Sequence, residues 1–507
     1  MHTPVRVTLV REPSDGPRPG NLLFLAGYDN FWGSGYAGDQ LLEVHHIRPC
    51  FAVGLRRGGS LSRTPRVFYG WYVLAAAFAV MFFNSGGRST IGIMLKPMAA
   101  EFGWSRGAIS AAVFVNLGMY ALAGIVTGRL YDRYGPKWVI AGSTLLFSAG
   151  FALMAIMHSL WQFLLYYGVL SAAGLGGVTV PIFGSIIGNW FEKRRGLAVS
   201  LALAGGCLGQ FFLVPVFSHT VLDSGWRATS LWIAGISVVL NLPLAFGVIR
   251  GDPEKFGLAP YGAGSAARPR GVTRSTKRPA PSAEAIGGSP SATAAALRGA
   301  APPAAAPPGL TLVEAMRTRS LWMFTLAMFV CGGADYLVTT HLVAMATDYG
   351  ISPETGAGML AWLGLLSMGG VLLAGPAVDA IGNKLPIAAT FGLRIALFVL
   401  LFSLKGPASF WVFALGFGLT FMVTALLTPT LVADLYGVTH LGLISGFITT
   451  VHMFGGGLWT FLGGVIYDRL GSYDLALLIS AGMAALALGC TLLIREERHA
   501  VHARATA

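Results

Sequence analysis

Few ionisable residues interrupt the long apolar stretches of this 507-residue chain. A charge at the centre of a bilayer costs at least roughly 2.5–3.5 kcal/mol, so each of them is a candidate for function. Arg88 carries a planar fork suited to a carboxylate, with Asn84 four residues earlier on the same helical face. Asp335 occupies a second such stretch. His452, whose charge depends on pH, stands on a stripe of Ser445, Thr449, His452, Gly456 and Trp459. Its four-three-four-three spacing puts all five on one side of a helix. Asn116 with Tyr120, and Gln210, add hydrogen-bonding groups. Together these types suit the binding of a small anion by Arg88, Asn84, His452, Thr449, Asn116, Tyr120 and Gln210, with proton exchange at Asp335 and His452. His341 lies six positions past Asp335 and reads as a packing residue. Arg394 reads as an arginine snorkelling to the cytoplasmic side.

The elements that must position them are transmembrane helices. Hydrophobic residues are 54% of the chain and charged residues 11%, against roughly 25% charged in an average soluble domain. Roughly 20 apolar residues cross a bilayer as a helix, and twelve such spans are placed. They begin near Val67, Gly107, Val139, Gln162, Gly196, Ala228, Leu321, Gly356, Pro386, Ser409, Gly442 and Leu475. Helices satisfy their own backbone in lipid, whereas a barrel would show short alternating segments. The expected fold class is an all-α membrane protein of two six-helix halves. The net charge of +13 invites a nucleic-acid partner, but its placement excludes one. Arg129, Arg133 and Lys137, then Lys193, Arg194 and Arg195, fall in short loops on one side. That is the positive-inside bias, and it sets both termini in the cytoplasm. The four cysteines lack metal-ligand or redox spacing. No cluster of catalytic residues, metal site, cofactor motif or nucleotide-binding loop is visible, which argues against an enzyme and against ATP as the energy source. No oligomer is required.

Five regions follow. Residues 1–66 read as a disordered cytoplasmic tail, or as upstream sequence joined by a misplaced start codon. Residues 67–250 and 320–494 are the two bundles, 251–319 a flexible cytoplasmic linker rich in Ala, Pro and Gly, and 495–507 a cytoplasmic tail. An internal repeat relates the bundles. A shift of 247 lays EFGWS at 101–105 over DYGIS at 348–352, and GRLYDRYGPK at 128–137 over GPAVDAIGNK at 375–384. It also lays Arg88 over Asp335, two sites that would pair in an empty cavity. A shift of 246 lays Gly196, Gly209 and Gly225 over Gly442, Gly455 and Gly471. Two parallel six-helix repeats joined by a long loop point to a transporter with its site at the repeat interface.

GRLYDRYGPK resembles the loop between spans two and three of the major facilitator superfamily. YGW at 69–71, GNWFEKRRGLA at 188–198, GWR at 225–227 and GGVIYDRLGSY at 463–473 are similar to its monocarboxylate transporter and oxalate/formate antiporter group. The likeness covers about residues 67–250 and 320–494. It implies a gate formed by Gly128, Asp132, Arg133, Gly135 and Lys137, echoed at Asp379, with a second charge cluster at Glu192, Arg194 and Arg195. Monocarboxylate transporters place a lysine and serine where Arg88 and Ser89 stand, and oxalate/formate antiporters a lysine near His452. The aspartate and arginine that the former carry in span eight are replaced here by Val371 and Gly375. The implied function is secondary transport of a small organic anion, a monocarboxylate, with protons or a counter-anion as the coupled species. An efflux pump for amphipathic compounds is the alternative, and a membrane sensor on a transporter fold the alternative of another class. The expected setting is a bacterial inner membrane.

Overall fold

The computed structural model describes residues 68–262, 310–437 and 439–494, which fold as helices joined by short turns. Eleven helices are long and apolar enough to cross a membrane. One of them, Arg195–Val248, has 54 residues, about 80 Å if straight, against a hydrocarbon core of about 30 Å. Gly225 resolves the excess. Its φ of 82° and ψ of 163° lie outside the helical region, so this segment is two spans, five and six. The others are Tyr69–Phe102, Arg106–Tyr134, Pro136–Met154 and Leu160–Trp190 as spans one to four. Arg319–Asp348, Pro353–Ile381, Lys384–Ser403, Pro407–Tyr436, Leu441–Leu470 and Asp474–Leu493 are spans seven to twelve. Twelve spans result, each beginning within a few residues of its expected start.

The repeat is visible in the backbone. Spans two and eight have 29 residues each and start 247 positions apart. Ser105 caps the first by accepting from Ala108 N, and Ser352 caps the second by accepting from Thr355 N. Gly135 and Gly382 end them at the same φ of 79°. Packing repeats too. A Cβ on Gly209 would meet the Phe82 carbonyl oxygen at 1.9 Å, and one on Gly455 the Phe329 oxygen at 2.2 Å. Spans five and eleven therefore lie backbone to backbone on spans one and seven, which only glycine permits.

The halves touch at one end and part at the other. Gly92 meets Thr339, Gly107 meets Asp468, Gly457 meets Phe114 and Gly464 meets Arg106, all across the half-to-half boundary. Towards the opposite end of the same bundle, a Cβ added at Gly128, Gly196, Gly375 or Gly442 would meet no described atom within 4 Å. Among the described residues no hydrogen bond or ion pair joins the halves at that end, which carries GRLYDRYGPK, so the bundle opens there.

The linker is described only at its two edges. Its described edges are not free chain. Tyr261 bonds to the backbone of Trp190, Glu192 and Lys193, and Leu310 N donates to Tyr436 O. Thr311 and Glu314 form a reciprocal capping box at the start of the short helix Leu312–Met316. The remaining linker, and the expectations for residues 1–66 and 495–507, lie outside the described residues.

Gly209→Val should overpack the span one–span five contact and cost about 1–3 kcal/mol. A clear fall in Tm in detergent would be seen, while Gly196→Val, in open space, should shift Tm far less.

Candidate functional site

Span one breaks at Thr90, whose Oγ1 donates to Gly87 O, and span ten breaks at Met422. Each break is a single residue that stays in the right-handed helical region, so the helix bends there and little backbone is freed. Between the halves a cavity of about 90 Å³ opens beside these breaks, bordered by Arg88, Asn116, Tyr167, Gln210, Tyr336, Phe421 and Met422 among others.

Arg88 is its cation. Its Nη2 donates to the Tyr336 hydroxyl at 2.5 Å, across the half-to-half boundary. The guanidinium lies 4.8 Å from the centre of the Tyr120 ring and 5.2 Å from that of Tyr336. Aromatic faces attract a cation but do not neutralise it. Among the described residues no carboxylate pairs with Arg88. Asn116 borders the same space while its amide donates to Tyr167 O at 2.7 Å. Gln210 borders it from span five and donates to Leu360 O at 3.0 Å, joining the halves at mid-height.

Other expected members sit elsewhere. Asn84 is buried against span six, donating to Val80 O and accepting weakly from Asn241 at 3.5 Å. Though it shares a helical face with Arg88, its shorter side chain is engaged within the first bundle and does not border the cavity. The stripe on span eleven packs on spans seven and twelve: Gly456 lies against the Tyr336 ring of span seven, and Trp459 donates to Ser480 of span twelve. Thr449 is exposed and bonds its own helix at Ser445 O. His452 is the member that reaches a charge.

That charge is Asp335, and its partner is not Arg88. The expected pairing of the two is corrected: Asp335 Oδ1 lies 2.7 Å from Arg394 Nη2, both side chains almost fully buried. The helix explains it. Tyr336, Thr339 and Thr340 face the cavity, and Asp335, one residue round the helix, faces spans nine to eleven. Arg394 does not snorkel. Its Nε donates to Thr420 Oγ1 at 3.0 Å, Nη1 lies 3.3 Å from Cys331 Sγ, and its plane covers the Phe417 ring. His452 Nε2 approaches Asp335 Oδ2 at 3.8 Å while Nδ1 contacts Met328 O at 3.0 Å. Cys331, Asp335 and His452 thus offer three donor atoms within 4.8 Å of one another, though their spacing in sequence suggested no such set. Arg394 already fills the place a cation would take there.

At the closed end a lock joins the halves that the sequence did not reveal. Arg106 pairs with Asp348 through both guanidinium nitrogens, at 2.6 and 2.8 Å. Lys96 adds a second cation to the same carboxylate at 2.6 Å. Asp468 accepts from the backbone N of Arg106 and Gly107, at 2.9 and 2.7 Å. A carboxylate from one half therefore caps the first turn of a helix of the other, where the helix dipole favours negative charge. His341, expected to pack, instead hydrogen-bonds at this end: its ring nitrogens meet Ser110 of the other half, Thr460 O and Tyr473. The signal available beforehand was that Asp348 overlies Glu101, yet Glu101 binds Trp226 and Arg227 within its own half.

The expected gate at the other end is not engaged. Asp132, Arg133, Asp379, Glu192, Arg194 and Arg195 are exposed, and none forms an ion pair among the described residues. Gly128, in span two, and Gly135, at its end, have no described atom within 4 Å of an added Cβ, and Lys137 follows in the first turn of span three. Among the described residues no bond joins the halves here, and none brings these charges an ion-pair partner.

Asp348→Asn should weaken the closed end by about 2 kcal/mol, between the exposed and buried limits for an ion pair, a shift of roughly thirtyfold. Labelling of Thr339→Cys by a membrane-impermeant maleimide from that side should quicken accordingly, in a background without the native cysteines. An unchanged rate would show that the pair does not hold the halves together.

Comparison with known proteins agrees with this architecture. The Major Facilitator Superfamily model matches residues 77–460 and 324–506. The MFS-type transporter YcxA of Bacillus subtilis is 23% identical over 413 residues, covering 80% of this chain and 90% of that protein. Human monocarboxylate transporter 11 is 26% identical over 430 residues, covering 82% and 80%. Among solved structures, a bacterial homologue of the lysosomal transporter Spinster superimposes with a TM-score of 0.59 at 15% identity, over 84% of this chain and 94% of that one. The nucleoside transporter NupG does so with 0.61 at 12%, over 84% and 99%. By its family model, its twelve spans and its two repeated halves, the chain is a membrane-spanning member of the Major Facilitator Superfamily.

Proposed function

We propose that the protein is a secondary transporter of a small organic anion, a monocarboxylate, working by alternating access. The observation that carries this is Arg88. It is a guanidinium at the cavity between the halves, held by tyrosines and, among the described residues, by no carboxylate, so that an anion suits it as a partner. The modest cavity suits a small molecule, and the similarity to human monocarboxylate transporter 11 supports the same class of cargo. Asn116, Gln210 and Tyr336 then orient the carboxylate and its substituents, and exclude water as the site closes.

Transport follows from the two ends. In the conformation described, Arg106, Asp348 and Asp468 close one side, and the other stands open beside GRLYDRYGPK. With the basic loops in the cytoplasm, the open side is the cytoplasmic one. Rocking the halves breaks the first set of contacts and brings Asp132, Arg133, Lys137 and Asp379 within reach of partners, which is where their role as a gate would be played. The efflux alternative called for an aromatic cavity with Arg88 outside it, whereas Arg88 borders the cavity. A bacterial inner membrane and coupling to protons or to a counter-anion complete the reading.

The test is uptake of radiolabelled acetate, lactate, pyruvate, succinate and benzoate into proteoliposomes, wild type against Arg88→Ala and Arg88→Lys. Loss of an Arg–carboxylate pair should lower uptake by at least about tenfold in Arg88→Ala, with partial retention in Arg88→Lys. Equal uptake by wild type and Arg88→Ala would reject Arg88 as the anion site.

A further inference from the structure

We propose that Arg394 sets the mode of transport: by holding Asp335 it denies Arg88 an internal counter-ion, so the protein exchanges one organic anion for another. The inference rests on the reading of Arg88 as the anion site.

The argument is a count of charges in the middle of the bundle. Arg88 brings one positive charge, Asp335 one negative and Arg394 one positive. Asp335 and Arg394 neutralise each other at 2.7 Å in the buried interior of the second half. The arginine is further tied to Thr420 through Nε at 3.0 Å and Nη2 at 3.2 Å, and to Cys331. What remains is Arg88, with Tyr336 and Tyr120 around it. The other groups facing Asp335 are Cys331, on its own helix at 3.5 Å, and His452 of span eleven at 3.8 Å. Neither supplies a counter-charge to Arg88.

Two consequences follow for the cycle. An anion-loaded carrier has a neutral core, because the cargo balances Arg88 and Arg394 balances Asp335. An empty carrier would have to close its low-dielectric interior around a bare guanidinium, which is disfavoured. The loaded form therefore crosses readily and the empty form does not. One anion enters as one leaves, and no proton is needed for charge balance.

The same geometry says what would change the mode. Asp335 adjoins Tyr336, the residue whose hydroxyl meets Arg88. Without Arg394, Asp335 becomes the unpaired carboxylate of the bundle. Ionised, it balances Arg88 in the empty carrier and lets it return. When an anion takes Arg88, Asp335 accepts one proton, with His452 beside it as the neighbouring base. One anion and one proton then cross together, and the exchanger becomes a proton-coupled carrier.

The experiment uses the panel anion taken up fastest by the full-length wild type. Vesicles preloaded with the same unlabelled anion are compared with unloaded vesicles under an imposed pH gradient, alkaline inside. Wild-type uptake should be at least about tenfold faster into loaded vesicles. Arg394→Gln should raise uptake into unloaded vesicles by at least about tenfold and make it follow the pH gradient, and adding Asp335→Asn should remove that gain. Arg394→Met keeps the apolar stem over Phe417 and should read the same. Wild-type uptake that is equally fast into loaded and unloaded vesicles overturns the proposal without use of any variant, and leaves Arg88 as the anion site intact. Arg394 variants that fold yet keep wild-type preference for loaded vesicles overturn the role of Arg394. Absence of transport for every panel anion rejects the anion reading and this inference with it.

Discussion

A guanidinium in a low-dielectric interior has to be answered by a negative charge, and this chain meets that demand in three different ways. At Arg394 the answer is internal: Asp335 lies against it, and Thr420 and Cys331 take up the remaining donors. At Arg106 the answer comes from the other half of the molecule, so that the pair also ties the halves together. At Arg88 the protein supplies only a hydroxyl and aromatic faces. Much of the architecture reads as the arrangement that keeps these three cases apart.

Helix packing makes the separation possible. The close glycine contacts between spans one and five, and again between seven and eleven, hold each half as a rigid body. A rigid half can keep a buried ion pair intact while it moves, and this suits the Asp335–Arg394 pair, whose members share one half. The pair between Arg106 and Asp348 spans both halves and has to break for the bundle to open at that end. It is accordingly less deeply buried, with a carboxylate about one-fifth exposed, so water can replace the lost contacts. For these two pairs burial and mechanical role match: Asp335–Arg394 lies deep within one half, and Arg106–Asp348 lies at the rim between the halves.

The two ends also differ in what closes them. One uses a bidentate ion pair and a carboxylate on a helix N-terminus. The other carries a run of basic residues flanking Asp132 and glycines that face empty space. At the closed end glycines serve close contacts between the halves, such as Gly464 on Arg106. The glycines of the open end are suited to a similar approach that this conformation does not display.

Much of this was legible beforehand. The apolar runs required helices because lipid leaves the backbone no other partner, and the repeat related span two to span eight down to the serine caps and the terminal glycines. The charged residues inside the spans were all visible, and three of them, Arg88, Asp335 and Arg394, account for the central electrostatics. Their partners were not. A register places Arg88 over Asp335 but says nothing of which way each side chain turns, and a step of one residue moves a side chain about 100° round a helix. That step sends Tyr336 to the cavity and Asp335 to Arg394. Likewise Arg106, Asp348 and Asp468 are distant in the chain and lie at helix ends, where charges are common, so only the meeting of the halves marks them as a lock. Sequence by itself determined the helices, their number and their pairing, since these follow from local polarity and periodicity. Tertiary structure decided which charge answers which, because that depends on the rotation of each helix about its own axis.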